Sequence, residues 1–171
     1  MIEQAKVQET TLTKLEEYTG CTCVPSNTTK DLPAYDYISF SVIRTDTRKG
    51  TYAQATVNKN GVEIPVLYMP ASQTWSFTVH SDDDARALEK AMLVKDFFEE
   101  VKRQELADND IIVADVGGIT PRDTLLTIEY EYRKGLDVTL RLNNVIEKPD
   151  NGIIETATLA SNAGVIELEK E

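Results

Sequence analysis

The sequence predicts an α+β fold: a mixed or antiparallel β-sheet packed by one long helix and by an N-terminal helix. Three observations lead there. A helical stretch at residues 82–104 lies between strand-like stretches at 74–79 and 111–116. Residues 126–132 and 136–142 alternate apolar and polar side chains, the period of a sheet with one buried face. The first 19 residues place Ala5, Gln8, Leu12 and Leu15 on one helical face and stop at Gly20, a residue suited to the left-handed turn after a helix.

A chain of 171 residues is long enough to bury one sizeable core. No apolar run approaches the roughly 20 residues that cross a bilayer, so no membrane partner is expected. The start, Met1-Ile2-Glu3-Gln4, lacks the basic-then-apolar order of a secretory signal, which makes a cytoplasm the default compartment. Cys21 and Cys23 are too few for structural zinc and too close for an unstrained bridge. They read as two reduced thiols in a strand. The formal net charge of −11 argues against gripping nucleic acid by its phosphates. It suits solubility, a basic protein partner, or a wall that repels DNA.

The N-terminal helix contains Thr10, Thr11 and Thr13, and β-branched residues lose rotamer freedom in a helix. Residues 21–24 read as a short strand, followed by Pro25 and a polar loop to Pro33. In residues 35–45, Tyr37, Phe40 and Val42 interleave with Asp36, Ser39, Ser41 and Arg44, which predicts a strand. Residues 52–57 and 62–69 read as two arms of a hairpin turning at Asn60-Gly61, a pair suited to positive φ. Pro65 and Pro70 confine the second arm to an edge or interrupt it. Arg44, Arg48, Lys49 and Lys59 give this hairpin a basic base in an acidic protein. That makes it a candidate partner surface, although an ordinary solvated hairpin carries the same charges.

The central helix opens with Ser81, whose hydroxyl can accept from the first turn. Asp82, Asp83 and Asp84 favour the positive end of the helix dipole. Ala87, Ala91, Val94, Phe98 and Val101 form an apolar stripe at spacings of three and four, with Leu88 on one flank and Leu93 and Phe97 on the other. Glu89, Asp96, Glu100 and Arg103 lie opposite. The apolar arc is wider than one sheet face, so the helix is expected to touch a second body, either another helix or a neighbouring subunit. Leu93 and Phe97 are therefore interface candidates.

Residues 116–123 read as a turn built on Gly117, Gly118 and Pro121. The alternating segments after it read as a hairpin joined by Arg133-Lys134-Gly135. Its second face carries Glu129, Glu131, Asp137, Thr139 and Arg141, of which Glu129, Glu131 and Arg141 are candidates for partner contact. Residues 1–146 are expected to form a single domain, with residues 45–70 as a hairpin insertion. Residues 147–171 are expected to form a C-terminal arm or an extra hairpin.

Residue chemistry offers little for catalysis. The sole histidine is His80, and Ser76 and Ser81 lie near it without a nucleophile motif. Gly117-Gly118 lacks the lysine and following helix of a phosphate loop. His80 with Asp82 and Asp84 could be drawn as a metal site, but helix capping already accounts for the aspartates. Residues 148–152 form a turn cluster without the alternating ligands of a calcium loop. Glu129 and Glu131, on an exposed strand face, are poorly placed for acid–base work. No enzyme activity, cofactor or metal is expected.

The order of motifs resembles the neck or tail terminator proteins of tailed bacteriophages. The resemblance covers roughly residues 35–146. It rests on Trp75-Ser76-Phe77-Thr78-Val79-His80-Ser81-Asp82-Asp83-Asp84-Ala85 leading into the helix. It continues with Asp115-Val116-Gly117-Gly118-Ile119-Thr120-Pro121-Arg122-Asp123-Thr124 and Glu129-Tyr130-Glu131-Tyr132-Arg133-Lys134-Gly135-Leu136-Asp137-Val138. It implies a small tail-terminator-like subunit that assembles into a ring, usually of six copies. The ring would sit on the head-proximal end of the tail tube, halt tube growth and dock the head connector protein. DNA would pass through the lumen without specific binding. The implied location is the virion, with assembly in the host cytoplasm. Two other readings compete. One is a monomeric adaptor that recruits a partner through the basic hairpin. The other is a metal-dependent enzyme using His80 and the aspartates.

Overall fold

The computed structural model describes residues 2–29, 31–46, 53–59, 61–126, 129–147, 156–161 and 164–169. Helix α1 (Gln4–Thr19) precedes strands β1 (Thr22–Pro25), β2 (Tyr37–Asp46), β3 (Ala53–Lys59) and β4 (Val62–Ser81). Helix α2 (Asp84–Asp96) runs through a π-helical turn (Phe97–Val101) into α3 (Arg103–Ala107). Strands β5 (Ile111–Val116), β6 (Thr120–Pro121), β7 (Thr124–Leu126) and β8 (Glu129–Glu147) follow. The last two strands, β9 (Thr156–Ser161) and β10 (Gly164–Glu169), pair with each other as an antiparallel hairpin.

The fold is α+β, with a mostly antiparallel sheet in the order β1-β2-β4-β8-β5. β3 pairs with β4, and β6 and β7 pair with β8. β4 and β5 both run antiparallel to β8. The crossover through α2 and α3 therefore joins two parallel strands with β8 inserted between them.

Two expected breaks in the chain are absent. The segments at 62–69 and 74–79 belong to one 20-residue strand, β4. The turn expected at Arg133-Lys134-Gly135 does not form either. β8 runs straight through it, paired with β4 from Tyr132 to Glu147. The apolar positions on both sides of that supposed turn are all even-numbered. An uninterrupted strand keeps that parity as well as a three-residue turn does, and β4 offers backbone partners along the whole length.

The prolines in β4 fall where the strand lacks one neighbour. Pro65 pairs with Thr56 of β3 but lies beyond the end of β8. Pro70 pairs with Asn143 of β8 and sits in the gap between Ser72, the last partner of β2, and Tyr68, the first partner of β3. A residue without an N–H is tolerated where only one ladder has to be satisfied.

The helices cover one face of the sheet. Ile38, Phe40, Trp75, Phe77, Leu136, Val138 and Leu140 meet Leu15, Val94, Phe97, Phe98 and Leu106 in one buried cluster. α1 buries Thr11, Leu15 and Thr19; of the predicted face, Leu15 is in the core and Leu12 packs against it, whereas Ala5 is exposed. It stops at Gly20, which is left-handed with φ 68° and donates to Glu16 O.

α2 begins two residues later than expected. Asp83, not Ser81, is its N-cap and accepts from Arg86 N at 2.8 Å. Ser81 is used one step earlier, accepting from Asp83 N. The helix does touch a second body, and that body is α1. Tyr18 meets Phe97 at 6.0 Å between ring centres, and Lys90 Nζ donates to Thr19 O. After Asp96 the helix widens, with Lys102 N donating to Phe97 O. That extra residue per turn puts both Phe97 and Phe98 in the core and turns Val101 outward, at 49% exposure.

Candidate functional site

The other sheet face is polar, and strand register decides what stands on it. Tyr37 lies opposite His80, and His80 opposite Arg133. Ser41, Ser76 and Asp137 form a parallel row. Residues directly opposite on paired strands share a face, so groups far apart in sequence become neighbours.

At one end these groups form a line. His80 Nε2 is 2.8 Å from Ser39 Oγ. His80 Nδ1 is 3.3 Å from Glu131 Oε1, close but out of line for a hydrogen bond. Tyr37 stacks on the imidazole at 4.4 Å, and Tyr35 stacks on Tyr37. Glu131 Oε1 accepts from Tyr35 Oη at 3.0 Å and from Tyr37 Oη at 3.4 Å, and Arg133 holds Oε2. Burial pushes the His80 pKa below its ordinary value, partly opposed by the Glu131 charge. Burial would raise the Glu131 carboxyl, but bonds from Arg133 and Tyr35 outweigh it and hold it low. Burial, followed by the Glu131 charge, pushes the Tyr37 hydroxyl up to about 12.

Beside this line, Arg122 lies flat across the sheet. Its Nη1 donates to Ser76 Oγ at 2.7 Å and to Thr78 Oγ1 at 2.8 Å, and its Nη2 to Asp137 Oδ1 at 2.9 Å. A Cβ on Gly135 would stand 2.4 Å from the Arg122 guanidinium carbon. The missing side chain is what lets the arginine settle there. A cavity of about 340 Å³ opens over the two groups, lined by Leu32, Tyr37, Ser39, His80, Arg122 and Arg133 among others.

The hydroxyl–imidazole–carboxylate line could in principle polarise Ser39. Acyl transfer would also need donors placed for an oxyanion. The two arginines that line the cavity are each already held by a carboxylate, Asp137 and Glu131. The arrangement therefore acts as an internal brace, joining β2, β4, β7–β8 and the turn at Arg122. The proposed metal set is not assembled. His80 faces Ser39 and Glu131, while Asp82 pairs with Arg86 and Asp84 with Lys134. Among the described residues no cluster of His, Cys, Asp and Glu is spaced to hold a metal.

The residues singled out for partner contact are scattered. Phe97 is fully buried and Glu131 is 3% exposed, so both belong to the interior of the protomer. Glu131 left the wet face because Tyr35, Tyr37 and Arg133 close over it. Leu93 is half-buried. Arg44 and Arg141 are exposed on β2 and β8, and Lys59 is exposed and paired with Glu147 at 2.9 Å. Arg48, Lys49 and the Glu129 side chain lie outside the described residues.

Sequence reading missed Ser39, Tyr37 and Arg122. Gly135 within an alternating strand was a usable signal, because such a glycine marks close approach by another group.

Apolar groups also remain on the surface. Leu88 and Met92, one turn apart on α2, are 44% and 53% exposed. Every residue of β3 is exposed. No helix among the described residues is long and apolar enough to cross a membrane.

A family model described as phage neck terminator protein matches residues 9–167. No curated protein matches the chain.

Proposed function

The chain belongs to the phage neck terminator protein family, and from that premise we propose that it forms a ring closing the head-proximal end of the tail tube. As a member of that family it is a structural protein of the phage neck, located in the virion. The ring is proposed to hold six copies, to cap the tube protein and to dock the head connector, with DNA passing through its lumen. Its role is geometric and uses no cofactor.

The observation that carries this reading is the uncovered apolar strip on α2. The sheet and α1 bury Ala87, Ala91, Val94, Phe97 and Phe98, yet Leu88 and Met92 remain in water. Exposed apolar residues that line up on one helix face fit a contact with another protein surface. An excess of acidic residues suits a channel wall that DNA must not stick to. It also makes like-charged copies repel, an effect screened beyond about 8 Å at physiological salt.

Negative-stain imaging and sedimentation velocity of the purified protein, at low and physiological salt and with isolated tail tubes, test the proposal. Annuli that grow more abundant with salt, or rings seated on tube ends, are the expected result. A strict monomer that also ignores tube ends would replace the ring with the adaptor reading.

A further inference from the structure

We propose that β10 of one copy adds to the free edge of β3 in the next, as an extra strand of its sheet. This deepens the ring reading and rests on it. β3 is bonded along one side only, to β4. All seven of its residues are exposed, its register is unbroken, and its single charge is Lys59 at the end. Lys59 and Val62 close the ladder around a two-residue connection, so they exchange both hydrogen bonds, and bonded and non-bonded pairs alternate from there. Thr56 and Pro65 then form a non-bonded pair, which suits Pro65, because it has no N–H to give. Gln54, Thr56 and Asn58 therefore turn their N–H and C=O away from β4, and those groups have no partner among the described residues. An edge of this kind is usually blunted by proline or a bulge, and β3 has neither.

The other outer edges are short or already used. On β1, Cys23 N donates to Glu16 Oε1 at 2.6 Å, and on β5, Val113 O accepts from Arg103. β7 spans three residues. β8 beyond Leu142, where β5 ends, includes Val145, which is already engaged.

β10 complements the β3 edge. It pairs with β9 alone, in a two-stranded sheet separate from the larger one. Such a hairpin is marginal in water until a further strand joins it. By the same alternation, counted from Ser161 and Gly164, Glu167 turns its backbone groups away from β9. The strand is six residues long and carries Glu167 and Glu169, and β3 has no acidic residue to repel them. The eight residues between β8 and β9 reach about 27 Å when extended, so the hairpin can leave its own protomer. β8 and β3 flank β4 on opposite sides, so reaching the β3 edge of the same copy means crossing the sheet. Pairing of β3 with β3 would be isologous and close a dimer, whereas the hairpin-to-edge contact is heterologous and propagates around a ring.

Two substitutions in the full-length protein test this, Thr56→Pro in β3 and Glu167→Pro in β10. Each removes an outward N–H that the chain's own ladders do not use, so circular dichroism is expected to stay unchanged. Each alone is expected to weaken self-association by at least about tenfold in sedimentation velocity. Thr56→Val and Glu167→Gln keep the N–H and are expected to assemble normally. Mixed in equal amounts, the two proline variants are expected to form a dimer and nothing larger, since one intact hairpin meets one intact edge. Hydrogen exchange of the unsubstituted protein gives a check that needs no variant: the Gln54, Thr56 and Asn58 amides are expected to slow at least about tenfold on assembly. Assembly that survives either proline, a mixture that stays monomeric, or unchanged exchange in assembled rings overturns the strand addition while leaving the ring intact. An unsubstituted chain that never associates, alone or on tube ends, overturns the ring as well.

Discussion

His80 shows how one side chain ties stability to pH. Its pKa is depressed in the fold, mainly by burial. The unfolded chain therefore takes up the proton more readily, and stability falls as pH drops below the ordinary histidine value of 6.5. Glu131 adds to this lower down. Its pKa is held below 4.5 in the fold, so its contribution is present above that value and is lost as pH falls through the depressed one. Urea midpoints should fall continuously from about pH 7.5 to about pH 4. His80→Gln should flatten the upper part of that curve and leave the lower part. An unchanged curve would mean that the imidazole does not resist protonation.

Gly135 gives a second test at this scale. Its φ is not in the left-handed region, so its backbone suits any residue, and the obstacle to a side chain is Arg122. Gly135→Ala should displace the guanidinium from Ser76, Thr78 and Asp137 and cost about 1 kcal/mol. With Arg122→Ala already present, the same change should be neutral or stabilise by about 0.5 kcal/mol, since alanine lowers the entropy of the unfolded chain. A double-mutant cycle in urea measures the coupling. Additive effects would show that the two positions are independent.

At the scale of the element, the central helix was legible in type and nearly in extent, and the burial of Ala87, Ala91, Val94 and Phe98 follows the predicted stripe. Its end was not legible. A period of 3.6 places Phe98 and Val101 on one face, but the π-helical turn inserts a residue and separates them. Phe98→Ala should then cost about 3–5 kcal/mol, whereas Val101→Ser should stay within about 0.5 kcal/mol. Chemical denaturation of the two variants checks this. A large loss at Val101 would restore the uninterrupted helix. The strands show the same division. Alternation located β2, β5 and the inner face of β8. The turn within 133–135 was misread because charged residues and a glycine normally mark turns. Here Lys134 is nearly buried, bound by Asp84 and Asp123, and Gly135 underlies Arg122.

For the whole molecule, the candidate site was the part least open to sequence reading. Ser39, His80 and Glu131 are 41 and 51 positions apart, and none belongs to a local motif. They meet because β2 and β8 flank β4 in a fixed register. The basic hairpin was visible as charge, and the helix as an apolar arc wider than one sheet face, but the interface was expected on Leu93 and Phe97, and Met92 had no part in that reading. That α1 covers Phe97, and leaves Leu88 and Met92 bare, is a property of packing.

The sequence by itself determined the α+β class, the main helices and strands, the acidic charge and the likeness to phage neck terminators, because periodicity, capping and charge are local or summed quantities. Only the tertiary structure decided that β8 runs unbroken, that the helix widens at Phe97 and that His80 joins a brace rather than a metal site. Those outcomes depend on which strands and helices lie side by side, and neighbours in space are set by the balance of the whole core, not by any window of the chain.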